Sequence, residues 1–261
     1  GLMLAYNGAD LTGLVHAPRP QPESAGPWGV FTDFVSSFGT QDSTATITGY
    51  NYSIFGFTVR ADYRFRDDLV FGLGLGYYNT SASYKGSGGN ADINCIPFYT
   101  YGAYTPGSFY AMGYLGYTLN LYNLNRNLAF GTINRVATGS PNGNQLNASL
   151  ETGYDLKLAK FTVTPAFTLY YSTAWVDSFT EDGAGSLNLK VGAQSADSVQ
   201  TGLGMRLSRP FQTGAAILLP QIFAFYQHEF ADNSRGLDAR LAQAGNTFLF
   251  QTESPSRHFA L

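Results

Sequence analysis

His228 and Glu229 are the one adjacent imidazole and carboxylate in the chain, and such a pair could transfer protons in a hydrolase. Neighbouring residues of a strand point to opposite faces, however, so only one of the two could enter a common site. The spacing from Gln221 and Gln227 predicts Glu229 on the polar face of its strand and His228 on the apolar face. We therefore interpret His228 as a histidine at the edge of an apolar surface rather than as a catalytic base.

The remaining cysteine and histidines give no stronger candidate. Cys95 is the single cysteine and has no histidine nearby in sequence, so neither a nucleophile nor a metal ligand is favoured. His16 lies in a proline-rich segment and His258 lies near the end of the sequence. The sequence thus predicts no catalytic site, no metal and no cofactor.

Six further charged residues occur where polar and apolar residues alternate: Arg60, Asp62, Arg64, Glu151, Asp155 and Arg206. Between residues 53 and 65, for example, the aromatic and aliphatic residues share one parity and the charges share the other. A period of two predicts a β-strand with one apolar face. Nine such segments of ten or more residues can be counted, at 28–38, 53–65, 69–80, 92–104, 109–122, 145–156, 161–172, 199–208 and 217–230.

The length and composition of these segments favour a membrane barrel over the alternative, a soluble β-sandwich. Sandwich strands usually have about 5 or 6 residues, whereas a tilted strand that crosses a bilayer needs about 9 to 11. Only 13% of the 261 residues are charged, about half of the fraction typical of soluble domains. The net charge of −3 gives no electrostatic footprint for nucleic acid. The uncharged stretch at 69–84 is too short and too rich in glycine for a transmembrane helix.

The connections between the segments alternate between short and long. The short ones are at 66–68, 105–108, 159–160 and 209–216, and the mostly long ones are at 40–51, 85–91, 123–144, 173–198 and 231–257. This alternation is typical of an up-and-down antiparallel barrel with tight periplasmic turns and larger external loops.

The two parities of such a barrel predict a lipid face and a wet lumen. A lumen position explains why Arg60 and Glu151 are tolerated in mid-strand, since an arginine at the lipid midplane costs roughly 2 to 4 kcal/mol. Lipid contact is predicted for Phe57, Val59, Tyr63, Leu150, Tyr154, Phe167 and Leu203. The lumen is predicted to contain the six charges above together with Thr168 and Glu229.

Residues 1–27 have a different pattern. Leu4, Leu11, Leu14 and Val15 recur at helical spacing, and four prolines follow between 18 and 27. Two glycines would each cost this helix about 1 kcal/mol relative to alanine, so a surrounding wall would have to hold it. We therefore predict a short helix at 1–17 in the lumen, a stiff linker at 18–27 and a barrel at 28–261.

Five stretches resemble the translocator β-domain of autotransporters, the type V secretion proteins. In the family's order they are 59–65 (VRADYRF), 69–77 (LVFGLGLGY), 147–155 (NASLETGYD), 179–185 (FTEDGAG) and 228–230 (HEF). No single stretch is a catalytic signature, but five in order with the right loop lengths are specific. The resemblance covers about residues 28–261.

The resemblance implies a twelve-stranded barrel in the outer membrane of a Gram-negative (diderm) bacterium, with the N-terminal helix in its lumen. It also implies three partners, namely the outer-membrane lipid, the protein's own passenger domain and the barrel-assembly machinery. Nine to ten strands are expected within residues 28–261. The family's last three strands and its terminal aromatic residue are therefore expected to be missing from this range.

Two interpretations of the predicted lumen residues stay open. The charges, Glu229 included, either form a solvated ladder on the wall or contact a segment threaded through the pore, as charge rings do in channels. The second interpretation would use five glycines whose missing side chains leave room for another backbone: Gly72, Gly74, Gly76, Gly202 and Gly204.

The sequence therefore predicts a translocator domain that anchors and exports an N-terminal passenger to the cell surface. The alternative is a free-standing outer-membrane channel or adhesin barrel without a large passenger. Some autotransporters cleave their linker by asparagine cyclisation, and Asn7-Gly8 is a pair that cyclises readily. An Asn-Gly pair is above all a turn signal, however, so cleavage at Asn7 is the less favoured interpretation.

Overall fold

The computed structural model describes residues 26–43, 48–86, 88–213, 216–231, 236–243, 247–251 and 258–260. The predicted helix at 1–17, Asn7 within it, and most of the linker at 18–27 lie outside these ranges. Among the described residues, the single helical element is a 3₁₀ turn at Gly185–Leu187. No helix in these ranges is both long and apolar enough to span a bilayer.

The structure is built almost entirely from β-strands, and the described ones follow in chain order. They are β1 (Trp28–Gln41), β2 (Tyr50–Arg66), β3 (Leu69–Tyr84), β4 (Gly89–Tyr104), β5 (Phe109–Phe130), β6 (Ile133–Gly139), β7 (Asn142–Tyr154), β8 (Leu156–Leu158), β9 (Phe161–Val176), β10 (Phe179–Thr180), β11 (Leu189–Val191), β12 (Gln194–Ser208), β13 (Phe211–Thr213), β14 (Ala216–Leu218), β15 (Gln221–Glu229), β16 (Gly236–Leu241), β17 (Thr247–Gln251) and β18 (His258–Ala260).

Twelve of these strands form one curled antiparallel sheet. Ten of them follow in the order β1-β2-β3-β4-β5-β7-β9-β12-β15-β18, and β6 and β8 pair with β5 and β9 beside this path. The nine strands predicted from the alternation are confirmed, and β18 adds a short tenth strand against β15. The ninth strand begins at Gln221 rather than at residue 217, because 216–218 pairs with β13 in a separate hairpin. Pro220 has no N–H to donate to a ladder, which separates the two elements.

The prediction that the longest connections are loops is wrong. β5 continues to Phe130 and returns as β6, so most of 123–144 is a β-hairpin that extends the sheet. Asn123, Asn125 and Asn127 alternate with Leu124 and other larger side chains, so the period of two continues although the residues become polar. The connections at 173–198 and 231–257 likewise contain β10, β11, β16 and β17, which form a second, small sheet.

The register places the apolar parity of successive strands on one face of the main sheet. Phe57 pairs with Phe34 and Tyr77, and Leu203 pairs with Phe167 further along the sheet. In β9 the outward-facing residues run from Phe161 to Tyr171, which is ten residue steps or about 33 Å along the strand. A tilt of about 40° reduces this to a height of about 25 Å, the height of an apolar membrane band.

Candidate functional site

The outer face of the sheet is an apolar surface that lies open. Of the residues predicted to face lipid, six are exposed, from 37% at Phe167 to 65% at Leu203. The seventh, Tyr63, is half-buried because its ring packs edge-on against Trp28 at 4.9 Å. Continuous exposed apolar surface of this size marks contact with a membrane or a partner.

Two ion pairs join strands on the opposite face, one between the neighbouring strands β1 and β2 and one between β7 and β12, which lie on either side of β9. Arg60 Nη1 lies 2.7 Å from Asp33 Oδ2, and Arg206 Nη2 lies 3.2 Å from Glu151 Oε1. The Tyr110 hydroxyl also donates to Glu151 Oε1, at 2.7 Å. Asp33 and Tyr110 were not singled out from the sequence, although both share the polar parity of their strands.

The other predicted charges on this face are tied to the wall separately. Asp62 accepts a hydrogen bond from the Tyr101 hydroxyl at 3.0 Å, and Asp155 accepts one from the Thr164 hydroxyl at 2.6 Å. Arg64 follows on the parity of Arg60 and Asp62. The structure therefore brings the charges to one face of the sheet. Each charged side chain contacts its own partner there, and the charges do not form one cluster.

Glu229 is the most heavily hydrogen-bonded carboxylate on the inner face. It accepts hydrogen bonds from Ser198 Oγ at 2.5 Å, Gln200 Nε2 at 3.0 Å and the backbone N–H groups of Val199 at 2.8 Å and Ala231 at 3.0 Å. Four donors satisfy its lone pairs and leave it no free acceptor for a proton relay.

His228 belongs to the other face. Its ring packs edge-on against Phe230 with centroids 4.5 Å apart, and its register partner is Thr201. His228 and Glu229 therefore do not assemble an acid/base pair. Within the described ranges, no three histidine, cysteine, aspartate or glutamate side chains lie close enough to hold a metal ion.

A buried polar cluster that the sequence analysis missed centres on Asn147. Its Oδ1 accepts hydrogen bonds from Gln145 Nε2, Tyr170 OH and Ser172 Oγ, each at 2.9 Å. The cluster joins β7 to β9 on the polar face. The sequence could have indicated this cluster, because Asn147 and Gln145 lie on the same face of the predicted strand as Glu151.

The five glycines predicted to allow close approach are covered by the wall's own groups. A Cβ at Gly72 would collide with the ring of Tyr101, one at Gly74 with Tyr99, and one at Gly204 with Phe225, each ring coming from the next strand. At Gly202 the neighbouring group is the hydroxyl of Thr168, and at Gly76 it is the backbone carbonyl of Phe57. Rings that cover strand glycines in this way pin the register of adjacent strands.

The edge of the sheet that carries the long connections has a cap of its own. Arg126 donates two hydrogen bonds to the Glu181 carboxylate and a third, at 3.0 Å, to the carbonyl of Leu187. Glu181 also accepts from the backbone N–H of Leu189 at 2.8 Å. Arg135 reaches across to the carbonyl of Ala184 at 2.8 Å. The cap thus binds the β5-β6 hairpin to the segment between β10 and β11.

A curled antiparallel sheet with an open apolar outer face and a charged inner face defines the class: an outer-membrane β-barrel. The autotransporter β-domain family model matches residues 30–261. The chain therefore belongs to the autotransporter β-domain family, which places it in the outer membrane of Gram-negative bacteria.

Similar proteins agree with this assignment. The chain is 26% identical over 226 residues to "Outer membrane protein A" of Rickettsia conorii (strain ATCC VR-613 / Malish 7), a match that covers 83% of this chain but 11% of that protein. The fold is similar to the translocator domain of the autotransporter NalP from Neisseria meningitidis, with a TM-score of 0.68, 15% identity and coverage of 96% of this chain and 88% of the other. It is also similar to the β-domain of the Bordetella autotransporter BrkA, with a TM-score of 0.58, 23% identity and coverage of 86% and 89%.

Proposed function

We propose that this chain is a translocator domain that anchors an N-terminal passenger in the outer membrane and exports it to the cell surface. The observation that carries the proposal is the family match over residues 30–261, on a wall whose inner face is polar and outer face apolar. The helix at 1–17 would occupy the lumen, and the linker at 18–27 would lead from it into β1. The short turns would face the periplasm and the cap the exterior.

The inner face is suited to a chain that moves past it. Among the described residues, Arg60 and Arg206 are paired with Asp33 and Glu151. Asp62 and Asp155 accept hydrogen bonds from hydroxyl groups of other strands, so these side chains are already engaged by the wall and would hold a passing segment only weakly. Rings over the strand glycines keep the wall smooth and its register fixed. On this proposal the wall acts by binding and orienting, not by turnover, and the barrel-assembly machinery would insert it.

A reporter fusion tests export directly. A folded epitope-tagged segment is placed before residue 1 of the full-length protein, and protease is added to intact cells. We expect surface exposure and protease release of the tag. The same tag on a version that lacks residues 28–261 is the control and should stay inside the cell. A tag that reaches the surface equally in both, or in neither, contradicts passenger export and favours a free-standing channel or adhesin barrel.

The position of the N-terminal segment has its own test. Deletion of residues 1–17 should raise single-channel conductance of the purified full-length barrel in a planar bilayer, because a barrel of about twelve strands is too wide for wall side chains alone to fill. Unchanged conductance in a correctly folded deletion variant would show that the segment lies elsewhere.

A further inference from the structure

Two neighbouring turns at the short-turn edge of the sheet carry an excess of positive charge. Lys157 and Lys160 lie in and after β8, and the chain leaves β12 through Arg209. The register pairs Ser208 with Thr162, so the two turns lie side by side. All three cationic side chains are at least partly exposed. The result is a basic patch on one sector of the rim.

Arg209 is held in this patch by aromatic rings. Its guanidinium carbon lies 4.4 Å from the centroid of the Phe211 ring and 5.4 Å from that of Phe161. Both rings are exposed, and Phe161 shares the outward parity of Phe167. Among the residues that the structure describes, no carboxylate forms an ion pair with Arg209. The guanidinium is therefore oriented by its rings while its charge stays uncompensated.

A second arginine on the same edge shows that this arrangement is local. Arg66 also lies near an aromatic ring, 5.9 Å from the centroid of Tyr104. Its Nε, however, lies 3.0 Å from Asp68 Oδ1, and Asp67 adds another negative charge to the turn. An anion would thus be attracted to the turn of Arg209 and not to the turn of Arg66.

We propose that Arg209, assisted by Lys160, binds the phosphate of an anionic glycerophospholipid in the leaflet that meets the short-turn edge. A planar guanidinium donates two parallel hydrogen bonds to phosphate oxygens, which a lysine cannot do. Phe161 and Phe211 would contact the first part of the acyl chains beside the headgroup. The proposal depends on the membrane position of the barrel and not on export of a passenger, so the two can fail separately.

Native mass spectrometry of the folded full-length protein, released from nanodiscs of phosphatidylethanolamine and phosphatidylglycerol, tests the site. We expect wild type to retain phosphatidylglycerol in preference, and Arg209→Gln to lower this preference about fivefold, the effect of one basic residue at an anionic surface. Arg209→Lys should lose part of it, because the charge stays while the bidentate geometry is lost. Arg66→Gln is the matched control and should retain the wild-type preference. Heat-modifiable migration on gels confirms that each variant is folded.

Three outcomes would overturn the assignment. Equal phosphatidylglycerol retention by wild type and Arg209→Gln would remove the site. Preferential retention of lipid A phosphates when lipopolysaccharide is included would assign the patch to the other leaflet. A two-copy species that disappears in Arg209→Gln would replace the lipid with a second copy of this chain.

Discussion

Glu151 and Arg206 allow the contribution of the inner-face ion pairs to stability to be measured. Exposed ion pairs contribute about 0 to 1 kcal/mol, whereas removal of one partner of a fully buried pair costs about 3 to 5 kcal/mol. The Glu151 and Arg206 side chains are 14% and 9% exposed, so we expect an intermediate value. Glu151→Gln should lower the free energy of unfolding by about 2 kcal/mol, a factor of about 30 in the folded-to-unfolded ratio.

The choice of glutamine isolates the charge. An amide oxygen in place of the carboxylate can still accept the hydrogen bond from Tyr110, so packing and that contact are kept. Combining Glu151→Gln with Arg206→Met completes a double-mutant cycle, in which the pairwise term appears as non-additivity. The assay is equilibrium urea unfolding of the refolded barrel in lipid vesicles. The slope of the unfolding free energy against urea concentration must be the same for all variants.

Arg66 and Asp68 supply a matched control pair at the rim. Their side chains are 61% and 32% exposed, so the same cycle should give a coupling of about 0.5 kcal/mol or less. A coupling for Glu151 and Arg206 as small as that of the control would refute the reasoning. It would mean that lumen water screens the inner pair as fully as bulk solvent screens the outer one.

Three further changes should each give a distinct result. Gly76→Ala should lower the free energy of unfolding by about 1 to 3 kcal/mol, because its Cβ would meet the Phe57 carbonyl, which cannot move aside; Gly102→Ala, whose nearest neighbour lies at 3.5 Å, should change it little. Asn147→Ala leaves three donors without their shared acceptor and should cost about 1 to 3 kcal/mol in the same assay, and a neutral result would show that water replaces it. Glu181→Gln should speed proteolysis within the cap on intact cells, because the bidentate contact with Arg126 is lost. An unchanged cleavage rate would show that this contact does not hold the cap together.

The strands of the wall could be predicted because their signal is local. Alternation with a period of two follows from strand geometry alone, and it located nine strands and the face of Arg60 and Glu151. Partners such as Asp33 could not be named, because pairing depends on the register between strands, which no single segment encodes.

The cap was missed for a different reason. The alternation does not predict the continuation of β5 beyond Tyr122, because the apolar residues change parity there, from Leu119 and Leu121 to Leu124 and Leu128. Glu181 is buried against Arg126 from a segment 55 residues away, a contact that sequence spacing does not show. The rings that cover Gly72 and Gly74 likewise come from the next strand. The sequence shows that these positions lack a side chain, but not which ring fills the space.

The most direct test of a wall that spans the outer membrane uses two exposed positions at opposite edges of the sheet. Asn134 is the second residue of β6, next to the tip of the β5-β6 hairpin, and Lys160 lies in a short turn; both side chains are exposed. Single cysteines are placed there in a Cys95→Ala background and treated with a membrane-impermeant maleimide. Asn134→Cys should label on intact cells, whereas Lys160→Cys should label only after the outer membrane is permeabilised. Equal labelling of both on intact cells, or the reverse order, would contradict a barrel with its long connections at the cell surface.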